Sequence, residues 1–77
     1  MKVADRNRGV QPLAALLEHH GLAPKDLVAA SSEQLTHKMV SRGAKGRWLT
    51  PNVRGKLLRA LNAATGSAYG LGDLFDY

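Results

Sequence analysis

Seven cations fall within residues 36–59 and no acid accompanies them: Lys38, Arg42, Lys45, Arg47, Arg54, Lys56 and Arg59. The flanks lean the other way, with Glu18, Asp26 and Glu33 against Lys25 before the block and Asp73 and Asp76 after it. One sign of charge between flanks of the other makes a directed field, and the chemistry open to such a block is recognition of a polyanion. The net charge of +5 agrees. Small basic proteins also carry solvated lysines with no ligand, so charge by itself leaves nucleic acid and an acidic protein surface both open.

Other chemistries fare worse. His19-His20 supplies two imidazoles, but neighbours on a helix diverge by about 100°, and no second group of histidines or carboxylates at ligand spacing completes a metal site. Thr36 beside His37 sets a hydroxyl near an imidazole without an orienting carboxylate or a pocket, which is too little for a nucleophile. Gly43-x-x-Gly46 lacks the spacing and the preceding strand of a phosphate loop. The chain has no cysteine, which excludes a disulfide framework, a thiolate zinc site and a cysteine nucleophile together. We expect no enzyme, no metal, no cofactor and no small-molecule substrate.

The elements that must position the cations follow from punctuation and period. The chain has 77 residues, 44% of them apolar and 5% aromatic, which suits one small core. Residues 1–10 show no apolar period and read as a flexible basic arm, leaving residues 11–77 as a single helical domain. Pro12 suits a first helical position, and Leu13, Leu16, Leu17 and His20 make one stripe, so a helix is predicted over 12–20 with Gly21 as its cap. Pro24 starts a second, carrying Leu27 and Val28.

The third helix has two possible starts. Ser31 with Gln34 fits a capping box that begins a helix at Ser32, and Thr36 fits a cap for a helix over 37–42. In both cases Gly43 is the expected stop, followed by a loop over 44–49 holding Lys45, Arg47 and Trp48. Thr50-Pro51 starts a fourth and longest helix that Gly66 closes, with Val53, Leu57, Leu58, Leu61 and Ala64 as the buried stripe. Asp73 caps a last short turn that drops Leu74 and Phe75 onto the core. No segment alternates over strand length. The fold expected is all-α, a small orthogonal bundle of four to five helices.

Within that layout, Leu35-Thr36-x-x-x-Val40-Ser41-Arg42 resembles the turn and recognition helix of Cro and lambda-repressor-type domains and of the related lac-repressor headpiece. The continuation is similar: Lys45-Gly46-Arg47, then Leu49-Thr50-Pro51 opening a helix, Leu57-x-x-Ala60-Leu61-Asn62, and Asp73-Leu74-Phe75 at the end. The chain departs from the family at Gln34, where a glycine is usual, at Asp26, near where a glutamine is frequent, and at Ala29-Ala30, where Leu-Ala is preferred. The resemblance implies a lambda-repressor-like helix-turn-helix domain that binds double-stranded DNA as a small transcription regulator.

On that reading Thr36, His37, Lys38, Ser41 and Arg42 form the outward surface of the recognition helix, with Lys38 and Arg42 suited to guanine. Gln34 joins them if Ser31 is the cap. Lys45 and Arg47 in the basic loop, with Asn52 and Arg54 in the next first turn, would hold phosphates and fix register. Arg6 and Arg8 in the arm are candidates for the minor groove. Reading an operator calls for a homodimer, for which Leu71, Leu74, Phe75 and Tyr77 are candidate contacts. Trp48, Tyr69 and Phe75 are expected in the core.

The alternative is a protein–protein interaction module whose helical bundle offers the basic face to an acidic partner protein. RNA is the weaker third reading, since single-strand platforms need more aromatics. The longest apolar run, residues 13–17, is far short of a membrane span and the first residues lack a signal-like apolar stretch, so the expected location is the cytoplasm, at the nucleoid in a bacterium.

Overall fold

Proline and threonine set where the helices begin. A computed structural model describes residues 9–76, and among these the chain forms five helices and no strand. They are α1 (Pro12–His19), α2 (Pro24–Ala30), α3 (His37–Lys45), α4 (Pro51–Thr65) and α5 (Leu71–Leu74). The all-α expectation holds. Pro12, Pro24 and Pro51 stand in the first turns of α1, α2 and α4, where a missing N–H leaves no bond unmade. The expectations for Arg6, Arg8 and Tyr77, and most of the basic arm, lie outside the described residues.

Hydroxyl and carboxylate caps finish the starts. The Thr36 Oγ1 accepts from the Met39 amide at 3.2 Å, and the Thr50 Oγ1 accepts from the Val53 amide at 3.4 Å. Thr36 is therefore the cap of α3. The Ser31 hydroxyl is used differently: it accepts from the Glu33 amide and donates to the Glu33 carbonyl, both at 3.0 Å, and closes a turn. Asp26 accepts from the Ala23 amide at 2.7 Å and Asp73 from the Gly70 amide at 2.8 Å. Each aspartate thus faces the positive end of its own helix.

The end of α3 differs from the expectation. Gly43 does not stop it; the helix runs on through Ala44 and Lys45, and Gly46, at φ 98°, caps it in the left-handed region. The Arg47 amide reaches back to the Arg42 carbonyl at 2.9 Å and the Gly46 amide to the Gly43 carbonyl at 3.2 Å, the paired bonds of a Schellman ending. Gly43 is a packing residue. A Cβ there would lie 3.0 Å from the terminal methyls of both Leu49 and Leu57, so its bare backbone lets α3 lie close against them.

The core is built from Leu13 and Leu17 of α1, Leu27 of α2, Leu35, Val40 of α3, Leu57, Ala60 and Leu61 of α4, and Leu74 and Phe75. α4 packs against α2, α3 and α5, while α1 packs against α3 and α5. Its buried stripe turns on Ala60 rather than Ala64, because the last turn of α4 outruns the helices that cover Leu57 to Leu61 and leaves Ala63 and Ala64 exposed. Leu74 and Phe75 fold back onto the core as expected and are spent there. Leu71 remains 41% exposed.

One buried polar side chain joins three chain segments. Gln11 is 1% exposed; its Nε2 donates to the Gly9 carbonyl at 3.0 Å, its Oε1 accepts from the Asp76 amide at 2.8 Å, and its backbone amide donates to the Ala44 carbonyl at 3.0 Å. Both ends of the described chain are thereby fastened at the C-terminal end of α3. No helix among the described residues is long and apolar enough to cross a membrane.

Candidate nucleic-acid interface

α3 turns its cations outward because its apolar positions turn in. Val40 and Gly43, three apart, are buried, and Met39 and Ala44 beside them are partly buried. Lys38, Arg42 and Lys45 stand at i, i+4 and i+7 on the opposite face, and all three are exposed. His37 is exposed at the first turn and Ser41 is half-buried at the edge of the same face. Among the described residues, Lys38, Arg42 and Lys45 make no ion pair. The extension of α3 past Gly43 moves Lys45 from the predicted loop onto this face, where three cations now line up on one rigid element.

The surroundings add to the same side. Arg47 follows the Schellman ending and is exposed, so cationic side chains close a helix end that carries partial negative charge. Asn52 is exposed in the first turn of α4, and Arg54 is half-buried there. Between α3 and the start of α4 runs a groove of about 320 Å³, to which Thr36, Lys38 and Arg42 contribute, together with Thr50 at the cap of α4. Gln34 lies exposed in the segment leading to α3, outside the helix. Capping by Thr36 leaves it there.

No protein-family model, curated protein or solved structure matches this chain. What the surface can do rests on its own geometry.

Two residues alter the picture drawn from the sequence. Trp48, expected in the core, is 48% exposed and forms one wall of the groove, because the shortened loop presents it between α3 and α4. Its place in the chain carried a signal: Trp48 stands between Arg47 and Leu49 in the connection from α3 to α4, outside every helical apolar stripe. Arg59, counted with the basic block, is neutralised. Its Nε and Nη2 donate to both carboxylate oxygens of Glu33 at 2.6 and 2.8 Å. The hydrogen-bonded guanidinium holds the Glu33 carboxyl below its usual range and Glu33 raises Arg59. Arg59 is thus withdrawn from the block, and the other six cations remain, three of them on α3.

The histidine pair is structural. The His20 Nε2 and the Tyr69 hydroxyl share a hydrogen bond of 2.8 Å, and the His19 ring stands edge-on to His20 with centroids 5.0 Å apart. No group of three or more potential metal ligands occurs among the described residues.

Proposed function

We propose that this chain is a double-stranded DNA-binding domain that lays α3 in the major groove and acts as a small transcription regulator. The observation that carries the reading is the row Lys38, Arg42 and Lys45 on the exposed face of a single helix, with Arg47 just beyond it. An α-helix with its side chains measures about 10–12 Å across and the major groove is about 12 Å wide, so a helix with an exposed cationic face matches the groove in size and sign. The resemblance to Cro and lambda-repressor-type domains points the same way. Lys38, in the first turn of α3, and Arg42, one turn further on, are the candidates for base edges. Lys45, Arg47 and Asn52 are the candidates for phosphates, which supply affinity and register without sequence information.

The test is a titration of the isotope-labelled chain with a short mixed-sequence duplex at low salt, followed amide by amide. Shifts concentrated between Gln34 and Arg54 are expected. An unmoved spectrum would sink the reading and favour the acidic-protein alternative. Substitution then separates the roles: Lys38→Ala or Arg42→Ala relaxes base preference, by about 1 to 3 kcal/mol for each bidentate pair lost, and Lys45→Ala or Arg47→Ala weakens all sequences alike. If all four behaved identically, α3 would not be reading bases.

A further inference from the structure

The groove beside α3 mixes two kinds of lining that a phosphate by itself would not need. Its rim carries Lys38 and Arg42, but Met39, Leu49, Val53 and the exposed indole of Trp48 supply apolar walls. A phosphate pushed among those side chains would lose water and gain no hydrogen bonds from them. Along the backbone of a duplex, the group that alternates with phosphate is deoxyribose, whose C–H faces are apolar. A surface with apolar walls and a cationic rim is complementary to that alternation.

We propose that the groove seats one deoxyribose of the DNA strand bordering α3, its C–H face on the indole of Trp48 and its flanking phosphates toward Arg47 and Asn52, which adjoin Trp48 and Val53 in the chain and are exposed. The assignment rests on the DNA-binding reading above and goes beyond it by giving Trp48 and the apolar walls a partner. An unpaired base would also fit against an indole, but it must first leave its stack, whereas a sugar at the duplex surface is met without distortion. The contact has a distinct signature. Cations that neutralise phosphates release counterions and steepen the salt dependence of binding, while an apolar sugar contact adds affinity that salt leaves alone.

Trp48 is the single tryptophan of the chain, so its emission reports this groove without further labelling. The experiment titrates the full chain, Trp48→Ala and Trp48→Phe with a mixed-sequence duplex at several salt concentrations, and with the same duplex carrying one unpaired thymine. Binding is expected to shift the emission to the blue and shield it from acrylamide. Trp48→Ala is expected to weaken binding by about fivefold at every salt concentration with the salt slope unchanged, and Trp48→Phe to recover part of the loss. The half-exposed indole lies outside the buried core; should Trp48→Ala nevertheless misfold by its amide spectrum, Trp48→Phe and the emission of the parent chain decide the question.

Normal binding with unchanged emission, or with Trp48→Ala equal to the parent, overturns the sugar assignment and leaves the DNA reading standing. Tighter, Trp48-dependent binding to the duplex with the unpaired thymine overturns it in favour of a base. Failure of the parent chain to bind any duplex overturns both.

Discussion

The two ends of α4 use polar side chains in opposite ways. At the C-terminal end they are consumed within the protein: the Asn62 side chain donates to the Tyr69 carbonyl at 3.1 Å and accepts from the Tyr69 amide at 2.8 Å, as a neighbouring backbone would. The Tyr69 hydroxyl then meets His20, and the Thr65 hydroxyl donates to the Leu61 carbonyl at 2.8 Å. At the N-terminal end the threonine hydroxyls cap α3 and α4, but the long cations of α3 are left to solvent. One end closes a loop on itself, and the other keeps its charge for something outside. A basic surface built to stabilise the fold would have drawn acids onto itself; here Asp26 and Asp73 are retained at the starts of their own helices and Glu33 takes Arg59.

The comparison is broken most strongly at the two glycines that end α3 and α4. Both adopt left-handed backbone, Gly46 at φ 98° and Gly66 at φ 70°, but an added Cβ at Gly46 would run into the Gly9 carbonyl whereas the space around Gly66 is empty. Gly46→Ala is expected to cost about 2 to 3 kcal/mol, and Gly66→Ala about 1 kcal/mol, as read by chemical denaturation. Equal losses would mean that the crossing of Gly9 over Gly46 is absent in solution.

Asn62→Ala comes next, at about 1 to 2 kcal/mol, since it strands both backbone groups of Tyr69. It should lower the melting temperature and leave duplex affinity unchanged when measured well below the transition. Lys45→Ala is its mirror image: stability within about 0.5 kcal/mol of the parent, affinity reduced for every sequence, and the salt slope flattened by about one unit.

The smallest effect is on pH dependence. Arg59 lowers the Glu33 carboxyl from its ordinary value of 4.5, so the pair contributes stability in full above that value and loses it as pH falls through the lowered one. Thermal melts of Glu33→Gln through the acid range should show a shallower loss than the parent. Identical acid limbs would mean that this exposed pair is screened to nothing.

These contrasts also mark what a sequence displays. Most starts of helices are legible because a proline without its N–H and a threonine hydroxyl act within one turn, and Pro12, Pro24, Thr50 and Pro51 stand where that local chemistry places them; the start of α3 stays open in the sequence because Ser31 and Thr36 both offer a capping hydroxyl, and only the structure assigns it to Thr36. The end of α3 is not legible, because a glycine chosen for close packing reads the same as one chosen for positive φ; only the distances to Leu49 and Leu57 tell Gly43 from Gly46. The cations of the candidate face are visible as a run, but the alignment of Lys45 with Lys38 and Arg42 depends on three more residues of helix, Gly43 to Lys45. Gln11 gives no signal, because its partners at Ala44 and Asp76 lie far along the chain and no local pattern carries that. Trp48 reads as core from its residue type, and its exposure follows from where α3 ends and α4 begins.

Gln11 has a consequence for how the protein opens. Its bond to the Asp76 amide joins positions 65 residues apart, so making it closes almost the whole chain into a loop, the costliest closure available to a polymer of this length. A contact of such range forms only after a large loop has closed, and this one ties down a chain end, where local opening costs least. Hydrogen exchange at the single amide of Asp76 should then run faster than at the helical amides of α4 and report, ahead of any global transition, when the two chain ends part at the foot of α3.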